Sequence, residues 1–189
     1  MKKLFFIAAM MGATLSANAQ NEVGQWSIKP MAGVNLATMT KFDNTKKMRV
    51  GLAAGAEFAV GAAENFEISF GALYSMQGAK GKGINDGITM KLDYINIPVL
   101  ANYYVARGFA IKAGVQPGFN VKKKLTADGA SADFDGVKGF AFSVPVGLSY
   151  EVGGVVLDAR YNWGITKAAK DSDSKHSYFT ITLGYKIPF

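Results

Sequence analysis

The chain has 189 residues, a formal net charge of +7, one histidine and no cysteine. That length fits a short leader and one domain, while the lack of cysteine excludes a disulfide scaffold and a lipid-modified N-terminal cysteine. The basic excess is spread over loop-like lysine groups (Lys41, Lys46 and Lys47; Lys80 and Lys82; Lys122, Lys123 and Lys124; Lys167, Lys170 and Lys175), which reads as solvated charge rather than a nucleic-acid surface.

The first element is a leader. Lys2 and Lys3 precede an apolar run from Leu4 to Leu15 and a small-residue end at Ala17-Asn18-Ala19, the layout of a cleavable signal peptide. A permanent helical anchor needs about 20 apolar residues, and this run is shorter. Cleavage is expected after Ala19, leaving residues 20–189 as the mature domain.

Eight segments follow in which apolar and polar or small residues alternate, the signature of half-buried strands. The first places Trp26, Ile28, Pro30, Ala32, Val34 and Leu36 opposite Ser27, Lys29, Met31, Gly33 and Asn35. The second sets Val50, Leu52, Phe58 and Val60 against Arg49, Gly51 and Glu57, and the third sets Phe66, Ile68, Phe70 and Tyr74 against Glu67, Ser69 and Ser75, with Leu73 a blemish on the polar side. In the fourth, Leu92 and Tyr94 fall out of phase with Ile95, Ile97, Val99, Ala101 and Tyr103; the latter row is taken as the apolar face, with Lys91 and Asp93 above it and a bulge near Tyr94 as the competing account. The fifth opposes Phe109, Ile111, Val115 and Phe119 to Lys112, Gly114, Gln116 and Asn120. The sixth opposes Phe140, Val146, Leu148 and Tyr150 to Ser143, Gly147 and Glu151. In the seventh Leu157, Tyr161 and Trp163 face away from Asp158, Arg160 and Asn162, and the last runs from Tyr178 to Phe189 with Phe179, Ile181, Leu183, Tyr185, Ile187 and Phe189 on one face.

Each segment has the 9 to 11 or so residues that a tilted strand needs to cross a bilayer. Connectors alternate between short (61–65, 105–108, 152–154) and long (38–48, 78–89, 122–139, 167–177), as in an up-and-down barrel with both termini on the short-turn side. The expected fold is therefore an all-β, eight-stranded antiparallel transmembrane β-barrel of the OmpA-like kind, in a bacterial outer membrane, with N- and C-termini periplasmic. Residue size sets the orientation: bulky apolar side chains do not fit inside eight strands, and aromatics at segment ends form an interfacial girdle.

The polar face then lines the lumen. It carries Lys29, Arg49, Lys112, Arg160 and Lys186 beside Glu57, Glu67, Glu151 and Asp158. Near-balanced charges in a narrow barrel imply ion pairs, since an unpaired buried charge costs several kcal/mol; which cation meets which anion depends on strand stagger.

Three stretches together, Tyr74-Ser75-Met76-Gln77-Gly78-Ala79-Lys80, Leu92-Asp93-Tyr94-Ile95-Asn96-Ile97-Pro98-Val99-Leu100 and Ile111-Lys112-Ala113-Gly114-Val115-Gln116-Pro117-Gly118, resemble strings of the PorT-type outer-membrane β-barrel family of the Bacteroidota. The resemblance implies a barrel over the mature chain. Some members are tied to protein secretion, but no secretion-specific site is matched. The closing Gly184-Tyr185-Lys186-Ile187-Pro188-Phe189 is similar to the aromatic-ended signal read by barrel assembly machinery, with Tyr185, Ile187 and Phe189 as the signal residues.

No catalytic, metal or cofactor site is expected. His176 stands in the last long connector among Asp171, Ser172, Asp173, Ser174 and Ser177, without the ordered partner that a hydrolase needs. A lone histidine offers too few ligands for zinc. Asp128, Asp133, Asp135, Asp171 and Asp173 lack calcium-loop spacing, and Gly78-Ala79-Lys80-Gly81-Lys82-Gly83 precedes no helix and reads as a surface loop rather than a phosphate cradle. The leading expectation is a non-enzymatic membrane protein with a structural or surface-interaction role. Its partners would be outer-membrane lipid and lipopolysaccharide, with an unidentified protein reached through the long loops. A small pore, a lipid-A-modifying enzyme and a soluble lipocalin-like carrier are the alternatives.

Overall fold

A computed structural model describes residues 21–40, 46–47, 49–81, 89–127, 130–133, 139–169 and 172–189; the leader lies outside them. The described residues form strands without helices: β1 (Trp26–Thr40), β2 (Arg49–Ala63), β3 (Phe66–Gly81), β4 (Thr89–Asn96, continued by Val99–Ala106), β5 (Phe109–Ala127), β6 (Phe140–Val152), β7 (Val155–Ala169) and β8 (Ser172–Tyr185, continued by Ile187–Pro188). Each is antiparallel to its sequence neighbours, and β8 returns to pair with β1 from Met31↔Gly184 to Thr40↔Lys175. The sheet is thus a closed eight-stranded barrel, in which closure removes the unpaired edges that an open sheet would expose.

Burial is inverted relative to a soluble protein. Along β7, Leu157, Tyr161 and Trp163 are 52%, 36% and 59% exposed, while Asp158, Arg160 and Asn162 between them are 1%, 3% and 1% exposed. The same alternation holds around the barrel: Phe58, Ile68, Phe70, Ile111, Phe119, Leu148 and Ile181 face outward, and Asn35, Glu57, Glu67, Lys112, Glu151 and Thr182 face in. Exposed apolar side chains in such a continuous belt are what lipid solvates. A soluble carrier would need the opposite arrangement.

The interior is narrow because glycines line it. A Cβ on Gly33 would lie 1.9 Å from the carbonyl oxygen of Ile181, and one on Gly114 2.0 Å from that of Val99. Backbone on adjacent strands approaches there too closely for any side chain. Short turns at Arg107-Gly108 and Gly153-Gly154 use left-handed glycines, with φ of 74° at Gly108 and 81° at Gly154, as tight hairpins require.

The fourth strand keeps one alternation throughout. Leu92, Tyr94, Asn96, Leu100, Asn102 and Tyr104 are all buried, whereas Ile95, Ile97 and Val99 are exposed. The row of Ile95, Ile97 and Val99 is thus the outward face as expected, with Leu92 and Tyr94 in the opposite, lumen row, and a bulge is also present, on β5 opposite them, where Val121 is skipped between Tyr94↔Asn120 and Asp93↔Lys122. Asp93 does sit at the upper end of β4, yet it is buried and accepts a 2.7 Å hydrogen bond from the Tyr74 hydroxyl.

Several expected loops are strand instead. β1, β3, β5 and β7 run on to Thr40, Gly81, Ala127 and Ala169, Ala130–Asp133 folds back onto β5, and Lys46–Lys47 pairs with β3. His176 and Asp173 lie in β8, with His176 opposite Met39, and Gly78 to Gly81 belong to β3. The ladders continue because antiparallel pairing satisfies backbone groups as well above the bilayer as inside it. With no lipid on the outer side the apolar alternation stops, so sequence periodicity loses the strand there. Asp128, Asp135 and Asp171 lie outside the described residues.

Candidate functional site

Among the described residues the lumen gathers buried charges of both signs, and they arrive by the pleat: strand pairing puts Lys29 opposite Glu57 and Asn102 opposite Lys112. At mid-height, Glu57 and Asp158 meet three cations. Arg160 reaches Glu57 Oε1 at 2.5 Å and Asp158 at 2.5 and 2.9 Å through its Nε and Nη2; Lys29 lies 2.9 Å from Glu57 and 3.8 Å from Asp158; Lys112 lies 2.5 Å from Asp158. All five are buried.

A second cluster closes the short-turn end. Lys186 Nζ contacts Glu67 Oε1 at 2.6 Å and Glu151 Oε2 at 3.3 Å, donates to the Tyr104 hydroxyl at 3.2 Å and lies 5.5 Å above the Tyr104 ring centre. Three cations face two anions in the first cluster and one faces two in the second, so the excess of each offsets that of the other. Between them lies a cavity of about 20 Å³ lined by Lys29, Glu57, Glu67, Tyr104, Lys112, Glu151 and Lys186, which is room for about one water molecule.

Above the charges the lumen is filled by neutral polar groups. Gln116 and Asn96 donate to the Tyr178 hydroxyl at 2.6 and 2.9 Å; Asn162 donates to Thr180, Thr180 to Asn35 and Asn35 to Ser75, at 3.0, 2.7 and 2.8 Å. Leu92 and Tyr94 pack with Ala141 over this layer.

Eight of the nine charged residues expected in the lumen thus form the two clusters. Arg49 does not join them: it is buried near the upper rim and donates to the carbonyl of Gln77. Tyr185, Ile187 and Phe189 run along the closing strand with Ile187 and Phe189 outward, and the Phe189 N–H donates to the Trp26 carbonyl at 2.9 Å. The side chain of His176 lies outside the described residues.

Sequence reasoning missed the seat of Asn21. Its N–H donates to Glu67 Oε1 at 2.6 Å, its amide to Ser27 Oγ at 2.9 Å, and Gly24 and Gly61 exchange hydrogen bonds with the segment so that residues 21–25 fold beneath the barrel. No periodicity marks so short a stretch; its signal is the turn-forming Gly24, with φ of 84°. Among the described residues no group of histidine, cysteine, aspartate and glutamate has the arrangement of a metal site.

A family model described as "Outer membrane protein beta-barrel domain" matches residues 18–170. No curated protein matches the chain. Among solved structures, Ail, the attachment invasion locus protein of Yersinia pestis, is similar with a TM-score of 0.55 and 14% identity over 88% of this chain and 100% of that one. Ail in complex with the heparin analogue sucrose octasulfate gives 0.55 and 13%, over 88% and 100%. Neisserial surface protein A (NspA) gives 0.52 and 14%, over 86% and 97%. At such identities the likeness establishes the fold.

Proposed function

This chain belongs to the outer-membrane protein β-barrel family and resides in the outer membrane, and from that premise we propose that it is a non-conducting barrel whose role is structural or interactive at the cell surface. One observation carries the reading: the lumen is crossed by two ion-pair clusters and a polar layer, with room for about one water between the clusters. A path for ions or substrate needs continuous water lined by a biased charge, and a catalytic barrel needs a nucleophile and an ordered base. Among the described residues neither reading has a residue set to support it.

The finer parts of the proposal follow from the chain's layout. Residues 1–19 serve as a cleaved leader, both termini are periplasmic, and the long connectors face outward. Tyr185, Ile187 and Phe189 are read by the assembly machinery. The three strings around Tyr74, Tyr94 and Val115 support a PorT-type affiliation. The deciding experiment is electrical. Purified mature protein added to planar bilayers is expected to give no stable conductance steps; steps that vanish on Lys112→Gln or Arg160→Met would establish a pore and end this reading.

A further inference from the structure

The segment that precedes β1 is buried most deeply at its N-terminal side. Residues 22–25 form a turn closed by the Gln25 N–H to the Glu22 carbonyl at 2.9 Å, with Val23 63% exposed, whereas Asn21 is only 4% exposed. The Asn21 N–H donates to Glu67 Oε1 and its side-chain amide to Ser27 Oγ. Glu67 and Ser27 both line the cavity between the two ion-pair clusters, so the chain is held at the edge of the charged part of the lumen.

Gly61 of β2 is shaped to this segment. Its carbonyl accepts from the Gly24 N–H at 2.7 Å and its N–H donates to the Gln25 carbonyl at 3.0 Å. A Cβ on Gly61 would lie 2.1 Å from the Glu22 carbonyl oxygen, and the three atoms nearest to it all belong to Asn21 and Glu22. The close approach of the segment, rather than the barrel wall, is what requires glycine there. The seat is also short of positive charge: Lys186 stands between Glu67 and Glu151, one cation to two buried carboxylates. The surplus cation of the middle cluster offsets this only from a distance, where attraction is weaker.

We propose that the short-turn end of the lumen is a binding site for the chain's own processed N-terminus: once the leader is removed after Ala19, the α-ammonium of Gln20 pairs with Glu67 and fastens the segment across the mouth. Gln20 is bonded to the Asn21 nitrogen, and its own nitrogen is three bonds further along, at most about 4 Å away. The Asn21 nitrogen is itself 2.6 Å from the carboxylate. Cleavage converts the group at that place from a neutral peptide N–H into an ammonium, which is protonated at neutral pH and suits a buried carboxylate as a charge-assisted donor. The inference rests on the proposed leader, because the cleavage site fixes which residue carries the charge.

The test is pulse labelling of the α-amine with an amine-reactive ester at pH 7, on the full mature chain extracted from membranes into detergent and quantified by mass spectrometry of the N-terminal peptide. Labelling of the folded barrel is expected to be about tenfold slower than that of the same chain in urea. Glu67→Gln keeps an acceptor for the Asn21 N–H and removes the charge, and is expected to speed labelling of the folded barrel about fivefold. Gly61→Ala leaves every lumen charge in place and unseats the segment; its rate is expected within about twofold of that in urea, with the barrel still migrating as a folded, heat-modifiable species. Cyclisation of Gln20, in which the amine attacks its own side-chain amide carbon and expels ammonia, needs the same free amine and is expected to be slowed in parallel. Labelling of the folded chain as fast as in urea, or slow labelling that Glu67→Gln or Gly61→Ala leaves unchanged, overturns the site. An intact mass that begins elsewhere than Gln20 sinks the leader reading instead, and a chain released at Gln20 by a site-specific protease and refolded in detergent then tests the seat by itself.

Discussion

Removing the Arg160 guanidinium tests whether the lumen charges act as one unit. At an effective dielectric of about 20, a 2.5 Å contact with Glu57 represents about 7 kcal/mol of gross attraction, and the 2.9 Å contact of Lys29 with Glu57 about 6. Most of that is offset by desolvation, and breaking a buried pair from one side costs about 3 to 5 kcal/mol net. Glu57 keeps Lys29 and Asp158 keeps Lys112 at 2.5 Å, so Arg160→Met belongs near the lower figure, about 3 kcal/mol. Glu57→Gln leaves the opposite imbalance and should cost a similar amount. The double variant restores equal numbers of cations and anions to the two clusters, so its cost should fall short of the sum by about 2 kcal/mol, within the range seen for coupled neighbours. Urea unfolding from lipid vesicles, followed by the fluorescence of Trp26 and Trp163, measures all three. Costs that add to within about 0.5 kcal/mol would refute a shared network.

Gly33→Ala sets a Cβ against the Ile181 carbonyl and the Thr182 Cα, which are backbone and cannot turn aside; a loss of about 1 to 3 kcal/mol should appear as a lower urea midpoint, and an unchanged midpoint would show that the strands separate freely. Val146→Arg places a cation in the outward belt opposite Ala113 and Tyr161 and should cost about 2 to 4 kcal/mol at mid-depth in the same assay. Phe189→Ser should reduce the assembled, heat-modifiable fraction in cells while shifting the urea midpoint of refolded protein little; an equal loss in both would make Phe189 a girdle residue only.

The faces of the barrel were legible because lipid and lumen impose opposite demands every second residue. Trp26, Phe58, Ile111 and Tyr161 against Lys29, Glu57, Lys112 and Arg160 suffice to orient four strands. The pairings were not legible, since Arg160 meets Glu57 only through the stagger that brings β7 across from β2 inside the closed barrel. Leu92 and Tyr94 stand out of phase with the outward row because a lumen that holds a polar layer at Tyr178 and Gln116 also admits an apolar lid above it. The strand extensions up to Gly81 and Ala127 left no apolar trace because the alternating demand of lipid and lumen ends at the membrane. Asn21 was invisible because its partner Glu67 is 46 residues away and no local pattern records that contact.

The charge arithmetic of the lumen bears on where activity can reside. Lys29, Lys112, Arg160 and Lys186 balance Glu57, Glu67, Glu151 and Asp158, and each carboxylate lies within ion-pair distance of a cation. Opening a path would require parting contacts of 2.5 to 2.9 Å in the middle cluster together with the 2.6 Å contact of Lys186 with Glu67, and each parted charge would have to be solvated anew. A lumen organised this way resists deformation, and rigidity is what an external binding surface needs from its scaffold.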